Sequence, residues 1–273
     1  MAKKITLKCF TDQMQRVVRL PVFPPRKIIS LVPSITELLF DLGLDDQIAG
    51  VTKFCIHPKE KCKSKIIIGG TKNIHQERIN EINPDLIIAN KEENEKSQIK
   101  LLEKSFPVWM SDVDDFSEAI DMISKIGEIT GKENPAQDIV RKIHTNFSKI
   151  VVPARKYKVA YLIWQKPYMT VGGDTFIHSM LQKAGFENVF KNEKRYPEIS
   201  LENIVDRQTE ILFLSTEPYP FKEKHTKEFE RLLPGIKIIL VDGEMFSWYG
   251  SRMMISTEYF MELQTYCTKA MNS

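Results

Sequence analysis

The 273-residue chain has 42% hydrophobic and 27% charged residues, a composition typical of a globular protein with one large or two medium domains. Its formal net charge of +3 is spread along the chain and does not favour binding to nucleic acid or to an anionic membrane. No stretch approaches the roughly 18 apolar residues of a membrane span, and the N-terminus lacks the apolar core of a signal peptide. We therefore expect a cytoplasmic protein as the sequence stands.

The four cysteines give no sign of a disulfide or a zinc site. Cys9, Cys55, Cys62 and Cys267 form no CxxC pair and no zinc-ligand spacing. Free reduced thiols, mostly buried, are the expected state.

The first elements predict a hairpin that leads into a buried strand. Lys3–Cys9 and Arg16–Leu20 have the pattern of two strands around a turn at Thr11–Met14. Lys27–Val32 is an apolar run rich in β-branched residues, as in a strand buried on both faces.

A helix and a second strand follow and complete a βαβ unit. Ser34 with Glu37 three residues later has the spacing of a capping box and predicts a helix that begins at Ser34. Gly43 is expected to end this helix as a left-handed cap. Ile48–Val51 is the next strand, so the segment predicts an α/β fold.

The rest of the chain alternates predicted strands and helices. The first half continues with Lys65–Ile68, Glu77–Ile82, Asp85–Ala89, Glu93–Ser105, Pro107–Met110 and Phe116–Ile129. One long helix, Pro135–Val151, precedes a second series: Tyr157–Trp164, a helix capped by Asp174, Leu201–Arg207, Glu210–Ser215, Glu223–Leu233, Lys237–Val241 and Arg252–Met271.

The two halves repeat one helix–strand pattern at an offset of 125 residues, from Glu77 to Glu202. The repeat predicts two Rossmann-like α/β lobes with central parallel sheets, joined by one long backbone helix. The expected bounds are 1–133 for the N-terminal lobe with its hairpin, 134–152 for the connecting helix and 153–273 for the C-terminal lobe. Two lobes imply a cleft between them, which is the usual place for a ligand.

Four segments in this order resemble one known family: TDQMQRVVRLP, KIISLVPSITELLFDLGLDDQIAGV, ERINEINPDLIIA and ISLENIVDRQTEILFL. They are similar to the helical-backbone (class III) substrate-binding proteins of ABC importers for vitamin B12, iron siderophores and haem, and most of all to the B12-binding branch. The resemblance implies a rigid connecting helix and a shallow cleft that moves little on binding. It implies an ABC permease as partner only for an exported chain.

The chain departs from that family in two ways. The family is normally exported to the periplasm or anchored by a lipid, and no export signal is visible here. The B12-binding branch lines its cleft with aromatic residues, but two of the aligned loop positions are Thr71 and Asn90, which cannot stack on a corrin ring.

The loop Thr52–Pro58 follows a predicted strand and combines Phe54, Cys55 and His57. A thiol and an imidazole two residues apart could ligate a soft metal or a metal in a macrocycle. Two ligands alone do not make a site, so a buried, inert Cys55 is the alternative, and we assign no metal residues.

A second loop, Asp242–Arg252, carries three aromatic residues that are costly to expose unless they bind something. The alternative is that they pack on the terminal helix. WQKPYMTVGG ends the first strand of the C-terminal lobe and supplies two more aromatic residues. Gly69–Asn73 could offer backbone N–H groups to an anion or form a plain turn. The expected ligand-binding residues are Phe54, His57, Lys72, Trp164, Tyr168, Glu244, Phe246, Trp248, Tyr249 and Arg252.

No catalytic motif is present in the sequence: it contains no GxSxG, HExxH or P-loop. We therefore predict a monomeric, non-enzymatic protein without a cofactor. It would bind a small metal chelate or corrinoid, such as cobalamin, a ferric siderophore or haem, and no nucleic acid. The alternative is a cytosolic enzyme or sensor on the same fold that uses Cys55, His57 and Glu244 to handle a metal or corrinoid.

Overall fold

The computed structural model describes residues 7–272, and its contacts divide the chain into two units. The first unit contains the residues up to Asp112, Glu118–Arg141 and Gly250–Arg252. The second contains Val113–Ser117, Lys142–Tyr249 and the chain from Met253 onward. The three sequence-based segments, 1–133, 134–152 and 153–273, stay a prediction.

The first unit is built on a five-stranded parallel sheet in the order β5-β4-β3-β6-β7. The strands of this unit are β1 (Lys8–Thr11), β2 (Val17–Leu20), β3 (Ile28–Ser30), β4 (Ile48–Val51), β5 (Ile66–Ile67), β6 (Leu86–Asn90) and β7 (Val108–Ser111). The helices in this part of the chain are α1 (Pro33–Asp41), α2 (Lys59–Lys63), α3 (Gln76–Ile82), α4 (Lys96–Leu102), α5 (Phe116–Thr130) and α6 (Glu133–Phe147).

The predicted hairpin is confirmed. β1 and β2 pair antiparallel, with Lys8 opposite Leu20 and Thr11 opposite Val17. The predicted first strand began at Lys3, and Lys3–Thr6 lie outside the described residues.

Apolar side chains on the central strands form the core of the first unit. Ile29, Leu31, Ile87 and Ala89 are fully buried and belong to one cluster with residues of α3 and α4. Every residue of β6 is buried. Burial on both faces explains why DLIIA is continuously apolar rather than alternating.

The predicted capping box at the start of α1 is wrong. The helix begins at Pro33, its N-cap is Val32, and no side chain caps it by a hydrogen bond. Proline has the backbone angle of a first helical residue, so α1 begins one residue earlier than predicted. At the other end Gly43 has a φ of +71°, which confirms the predicted left-handed glycine.

The second unit contains a four-stranded parallel sheet in the order β10-β8-β12-β13 and a small antiparallel pair, β9 with β11. Its strands are β8 (Lys158–Leu162), β9 (Tyr168–Met169), β10 (Glu187–Asn188), β11 (Glu198–Ile199), β12 (Ile211–Ser215) and β13 (Lys237–Val241). Its helices are α7 (Phe176–Lys183), α8 (Leu201–Asp206), α9 (Glu223–Leu232), α10 (Glu244–Ser247) and α11 (Met253–Met271).

The repeat seen in the sequence is confirmed by the element positions. α8 begins 125 residues after α3, and β12 begins 125 residues after β6. The predicted mixed α/β class with parallel sheets is therefore confirmed. None of the helices in the described range 7–272 has the length and apolar character needed to cross a lipid bilayer.

Several helix ends differ from the sequence prediction, and α4, predicted as Glu93–Ser105, spans only Lys96–Leu102. α6 ends at Phe147 rather than Val151, because the chain turns there and the Ile150 N–H donates to the Phe147 carbonyl at 3.2 Å. α7 is capped by Thr175, whose Oγ1 accepts from the His178 N–H at 3.2 Å. Asp174, the predicted cap, instead accepts a hydrogen bond from the Arg195 N–H at 2.5 Å.

Candidate functional site

In the first unit, Phe54 presents an aromatic ring just after the carboxyl end of β4. Its side chain is 50% exposed, and the Lys53 Nζ lies 5.1 Å from the ring centroid. Gly70, in the loop after β5, lies against the same ring: a Cβ built on Gly70 would be 3.3 Å from the Phe54 Cε2. Ligands of open parallel sheets bind beyond the carboxyl ends of the strands, where this ring is placed.

Cys55, next to Phe54, points into the protein. It is 5% exposed, and its Sγ lies 3.1 Å from the Thr36 Oγ1 and 3.3 Å from the Thr52 Oγ1. Burial raises the pKa of the Cys55 thiol, which keeps it protonated and a poor metal ligand. Within residues 7–272, no group of three or more His, Cys, Asp or Glu side chains is placed to hold a metal ion.

Two asparagines order the loops at the same edge of the sheet. The Asn90 Oδ1 accepts from the backbone N–H groups of Glu92 and Glu93 at 2.8 and 3.0 Å. The Asn94 Nδ2 donates to the carbonyls of Leu31 and Thr71 at 3.3 and 3.1 Å. Thr71 and Asn90, the positions where the B12-binding branch would have aromatic residues, are both buried.

Lys72 is held by the neighbouring loop. Its Nζ donates to the Glu92 carbonyl, and the Gln98 Nε2 donates to the Lys72 carbonyl at 3.0 Å. The side chain therefore links the loop after β5 to the loop after β6, both of which follow the carboxyl ends of strands.

Arg252 forms a two-pronged ion pair with Glu37 of α1. The Arg252 Nε and Nη2 lie 2.9 and 2.6 Å from the two carboxylate oxygens. Both side chains are largely buried, and burial raises the pKa of Glu37 although the guanidinium opposes that rise. From the sequence, Arg252 was expected to contact ligand and Glu37 to cap a helix. Partners 215 residues apart leave no sequence signal for the ion pair that they form.

In the second unit, Trp164 is the exposed aromatic residue at the carboxyl end of β8. It is 40% exposed, and its ring lies edge-on to Tyr219, with 5.6 Å between centroids. The Tyr219 hydroxyl donates to the Gln165 Oε1 at 3.0 Å. Tyr168 is half-buried, and its ring centroid lies 5.5 Å from that of Phe229.

The aromatic residues of the Asp242–Arg252 loop are largely buried. Phe246 lies on the short helix α10, is fully buried, and has its ring centroid 5.2 Å from that of Tyr161 and 4.8 Å from that of Phe260. Tyr249 is buried, and its ring meets that of Phe176 edge-on at 5.6 Å.

Trp248 combines burial with a polar contact. It is 7% exposed, and its Nε1 donates to the Glu217 Oε1 at 2.9 Å. Glu217, which was not among the residues predicted from the sequence, also accepts a hydrogen bond from Ser247. An acid two residues past β12 was the available signal, because the residues just beyond parallel strands gather at one edge of a sheet. The loop is further ordered by the Glu244 N–H, which donates to the Asp242 Oδ1 at 3.0 Å.

The candidate residues therefore fall into three groups, and their role in binding stays a prediction. Phe54 and Trp164 each expose an aromatic ring beyond a strand end, one in each unit. Phe246, Trp248, Tyr249 and Arg252 are buried in this structure. His57 and Lys72 lie in loops beyond strands of the first sheet, Tyr168 lies in β9, and Glu244 is the first residue of α10.

Comparison with curated proteins identifies relatives across most of the chain. The vitamin B12-binding protein of Vibrio parahaemolyticus is 29% identical over 197 residues, which cover 70% of this chain and 71% of that protein. A Bacillus subtilis protein named as an uncharacterized ABC transporter substrate-binding lipoprotein, YvrC, is 27% identical over 252 residues, covering 87% of this chain and 79% of that one.

Solved structures show the same fold. A Staphylococcus epidermidis protein described as a possible iron-binding (periplasmic solute-binding) protein has a TM-score of 0.75 and 28% identity, covering 88% of this chain and 98% of that one. The periplasmic vitamin B12-binding protein BtuF of Vibrio cholerae has a TM-score of 0.74 and 20% identity, covering 92% and 99%. At that identity, the match to BtuF establishes the fold alone.

The family is settled by a match to a sequence model. The model described as "Periplasmic binding protein" matches residues 28–232, which is more than half of the chain. The named relatives are binding proteins, and the resemblance stated from four sequence segments is confirmed. The chain belongs to the periplasmic binding protein family.

Proposed function

We propose that this protein is the substrate-binding component of an ABC importer and that its ligand is a metal chelate or a corrinoid: cobalamin, a ferric siderophore or haem. The names of the relatives support this class, because they include vitamin B12-binding proteins and an ABC transporter substrate-binding lipoprotein. Haem-binding proteins are among its structural neighbours. The proposed role is binding and delivery without catalysis.

The observation that carries the proposal is the pair of exposed rings beyond strand ends. Phe54 is 50% exposed and Trp164 is 40% exposed. Large flat ligands bind through apolar and aromatic area, and burying an aromatic side chain contributes roughly 1.5–3 kcal/mol. An interlobe cleft that contains both rings stays a prediction.

We also propose that the protein works outside the cytoplasmic membrane, next to an ABC permease. A binding protein delivers its ligand to an importer only from the outer side of that membrane. The relatives named as a lipoprotein and as periplasmic proteins support this location, and the comparisons lend no support to the cytoplasmic location expected from the sequence.

Spectroscopy tests the proposal directly. The protein is mixed separately with cobalamin, haemin and ferrichrome, freed of unbound compound by gel filtration, and examined by absorbance. We expect one of the three to co-elute at about one molecule per chain with a shifted spectrum. If none of the three co-elutes, the proposed ligand class is wrong.

Two substitutions then test the site. Phe54→Ala and Trp164→Ala should each weaken binding of that ligand by about tenfold or more, as expected for aromatic contacts at the centre of a site. Tyr266→Ala is the matched control, because Tyr266 is 56% exposed on α11 and was not predicted to contact ligand. Equal affinities for all three variants and the unchanged protein would contradict the assigned site.

A further inference from the structure

A groove runs along the outer edge of the sheet in the second unit. β13 is the terminal strand in the order β10-β8-β12-β13, so one of its sides has no neighbouring strand. The groove has a volume of about 530 Å³, with β13 as its floor, α9 as one wall and α11 as the other. Unpaired strand edges can receive an additional strand from another chain.

The hydrogen bonds of β13 show which groups face this groove. The Lys237 N–H donates to the Glu210 carbonyl, and the Val241 carbonyl accepts from the Thr216 N–H, each at 3.0 Å. Alternate residues of a parallel strand bond to one side, so the N–H and C=O groups of Ile238 and Leu240 point to the open side. These groups offer two donors and two acceptors to an incoming strand.

At the carboxyl end of β13, the open edge stops because the next outward-facing N–H already has a hydrogen-bond partner. The Asp242 N–H, next in the same alternation, donates to the Tyr259 hydroxyl of α11 at 2.8 Å. The Ile238 side chain belongs to the core cluster that includes Phe229, and the Leu240 side chain is partly buried and packs against that cluster. The open edge is therefore short: Ile238 is 6% exposed and Leu240 is half-buried, so only a few residues of extended chain fit along it.

The side chains on the walls make the lining of the groove predominantly acidic. Glu223 and Glu230 on α9 and Glu262 on α11 line it and are exposed, whereas Lys237 is the one basic residue of its lining. Among the described residues, neither Glu230 nor Glu262 forms an ion pair. Tyr266 adds an aromatic ring that is 56% exposed. An excess of acidic side chains around open backbone groups favours a basic strand.

We propose that this groove binds an extended segment rich in lysine or arginine from a partner protein, which adds as a strand to the edge of β13. A second copy of this chain fits less well, because two such grooves would bring their acidic walls together. The site is separate from the proposed ligand-binding residues, so it stands or falls independently of the importer function.

The test uses a fluorescein-labelled peptide of four Lys-Val repeats, measured by fluorescence anisotropy. We expect saturable binding, a rise in Kd of about tenfold or more with Glu230→Lys/Glu262→Lys, and little binding of a Glu-Val repeat. The matched control is Glu81→Lys/Glu128→Lys, which changes the same charge at exposed helical sites outside the groove and should keep the affinity. Circular dichroism confirms that both variants are folded.

Two methylated peptides distinguish strand addition from general charge attraction. Methylating every lysine amide, or every valine amide, removes the N–H donors of one edge only, because successive N–H groups of a strand point to opposite sides. One methylated peptide should bind and the other should fail, and amide exchange across residues 237–241 should slow when the parent peptide binds.

The proposal is overturned by any of four results. These are no saturable binding up to about 1 mM peptide, equal binding of both methylated peptides, unchanged affinity in the groove variant, or a dimer of the unchanged protein that the groove variant breaks. The last result would assign the edge to a second copy of this chain.

Discussion

At the scale of single residues, the Glu37–Arg252 pair illustrates how burial makes the stability of the fold depend on both partners of an ion pair. The two side chains form two hydrogen bonds and are both largely shielded from water. A buried pair contributes little net stability compared with apolar replacements, but the loss of one partner leaves a charge buried. We therefore expect stability to fall when one partner is substituted alone and to change little when both are replaced by apolar residues.

Arg252→Ala should lower the free energy of unfolding by about 3 kcal/mol, because Glu37 loses its guanidinium partner. Glu37→Leu/Arg252→Met should stay within about 1 kcal/mol of the unchanged protein, since no lone charge remains. Urea denaturation of the single and double variants measures both values. A double variant no more stable than Arg252→Ala would contradict this account.

Two tryptophans should respond in opposite ways to the same change. Trp248 is 7% exposed and hydrogen-bonded to Glu217, so Trp248→Ala should cost roughly 3–5 kcal/mol of stability in the absence of ligand. Trp164 is 40% exposed, so Trp164→Ala should cost under about 1 kcal/mol and act mainly on ligand binding. Thermal melts without ligand compare the two variants. Similar midpoints would mean that Trp248 contributes little to packing.

At the scale of elements, the long and strongly patterned segments were predicted well. β4 and β13 were predicted with the bounds that the structure has, and the helix–strand repeat recurs at the predicted offset. The two-residue strands β9 and β11 were missed, because so short a pair has no periodicity and forms through contacts distant in sequence. The start of α1 was misplaced because Ser34 and Glu37 fit a capping motif, whereas in the structure no side chain caps the helix and Glu37 pairs with Arg252.

The WQKPYMTVGG segment shows why glycine is required in one loop. The Gly172 N–H donates to the Arg195 carbonyl at 2.7 Å, and the Gly173 N–H donates to the Glu193 carbonyl at 2.9 Å. A Cβ built on Gly173 would lie 2.0 Å from the Lys191 carbonyl oxygen. The two backbone segments therefore approach closely only because no side chain separates them.

Gly173→Ala should destabilise the protein by about 1–3 kcal/mol, because backbone atoms rather than a flexible side chain must move. Gly70→Ala is the control, since its nearest neighbour is the Phe54 ring at 3.3 Å. Differential scanning fluorimetry of both variants provides the comparison. A Gly173→Ala midpoint equal to that of Gly70→Ala would show that the loop adapts at little cost.

At the scale of the whole molecule, burial in the fold determines how reactive each of the four thiols is. All four cysteines are free, and only Cys9 is exposed. Burial raises the pKa of Cys62 to about 11 and that of Cys267 to about 12, and it raises the pKa of Cys55 as well. Only thiolates react quickly with thiol reagents, so burial and protonation both slow the reaction of the buried cysteines.

At pH 8, a disulfide reagent should label one thiol quickly in the native protein and four after denaturation. Because the folded thiols have raised pKa values, their contribution to stability is complete below pH 9 and is lost as the pH rises toward about 11 or 12. Stability measured from pH 8 to 11 should therefore fall, and less so in Cys62→Ser. Two or fewer thiols after denaturation without reductant would contradict the free state.

The sequence by itself determined the α/β class, the internal repeat, the family and most of the elements. These properties rest on local patterns of apolar residues, turns and caps, which a single chain displays directly. Tertiary structure alone decided that Arg252 pairs with Glu37, that Trp248 bonds to Glu217 and that Phe246 is buried while Phe54 is exposed. Those outcomes depend on which side chains come into contact although they are distant in sequence. A local sequence pattern does not contain that information.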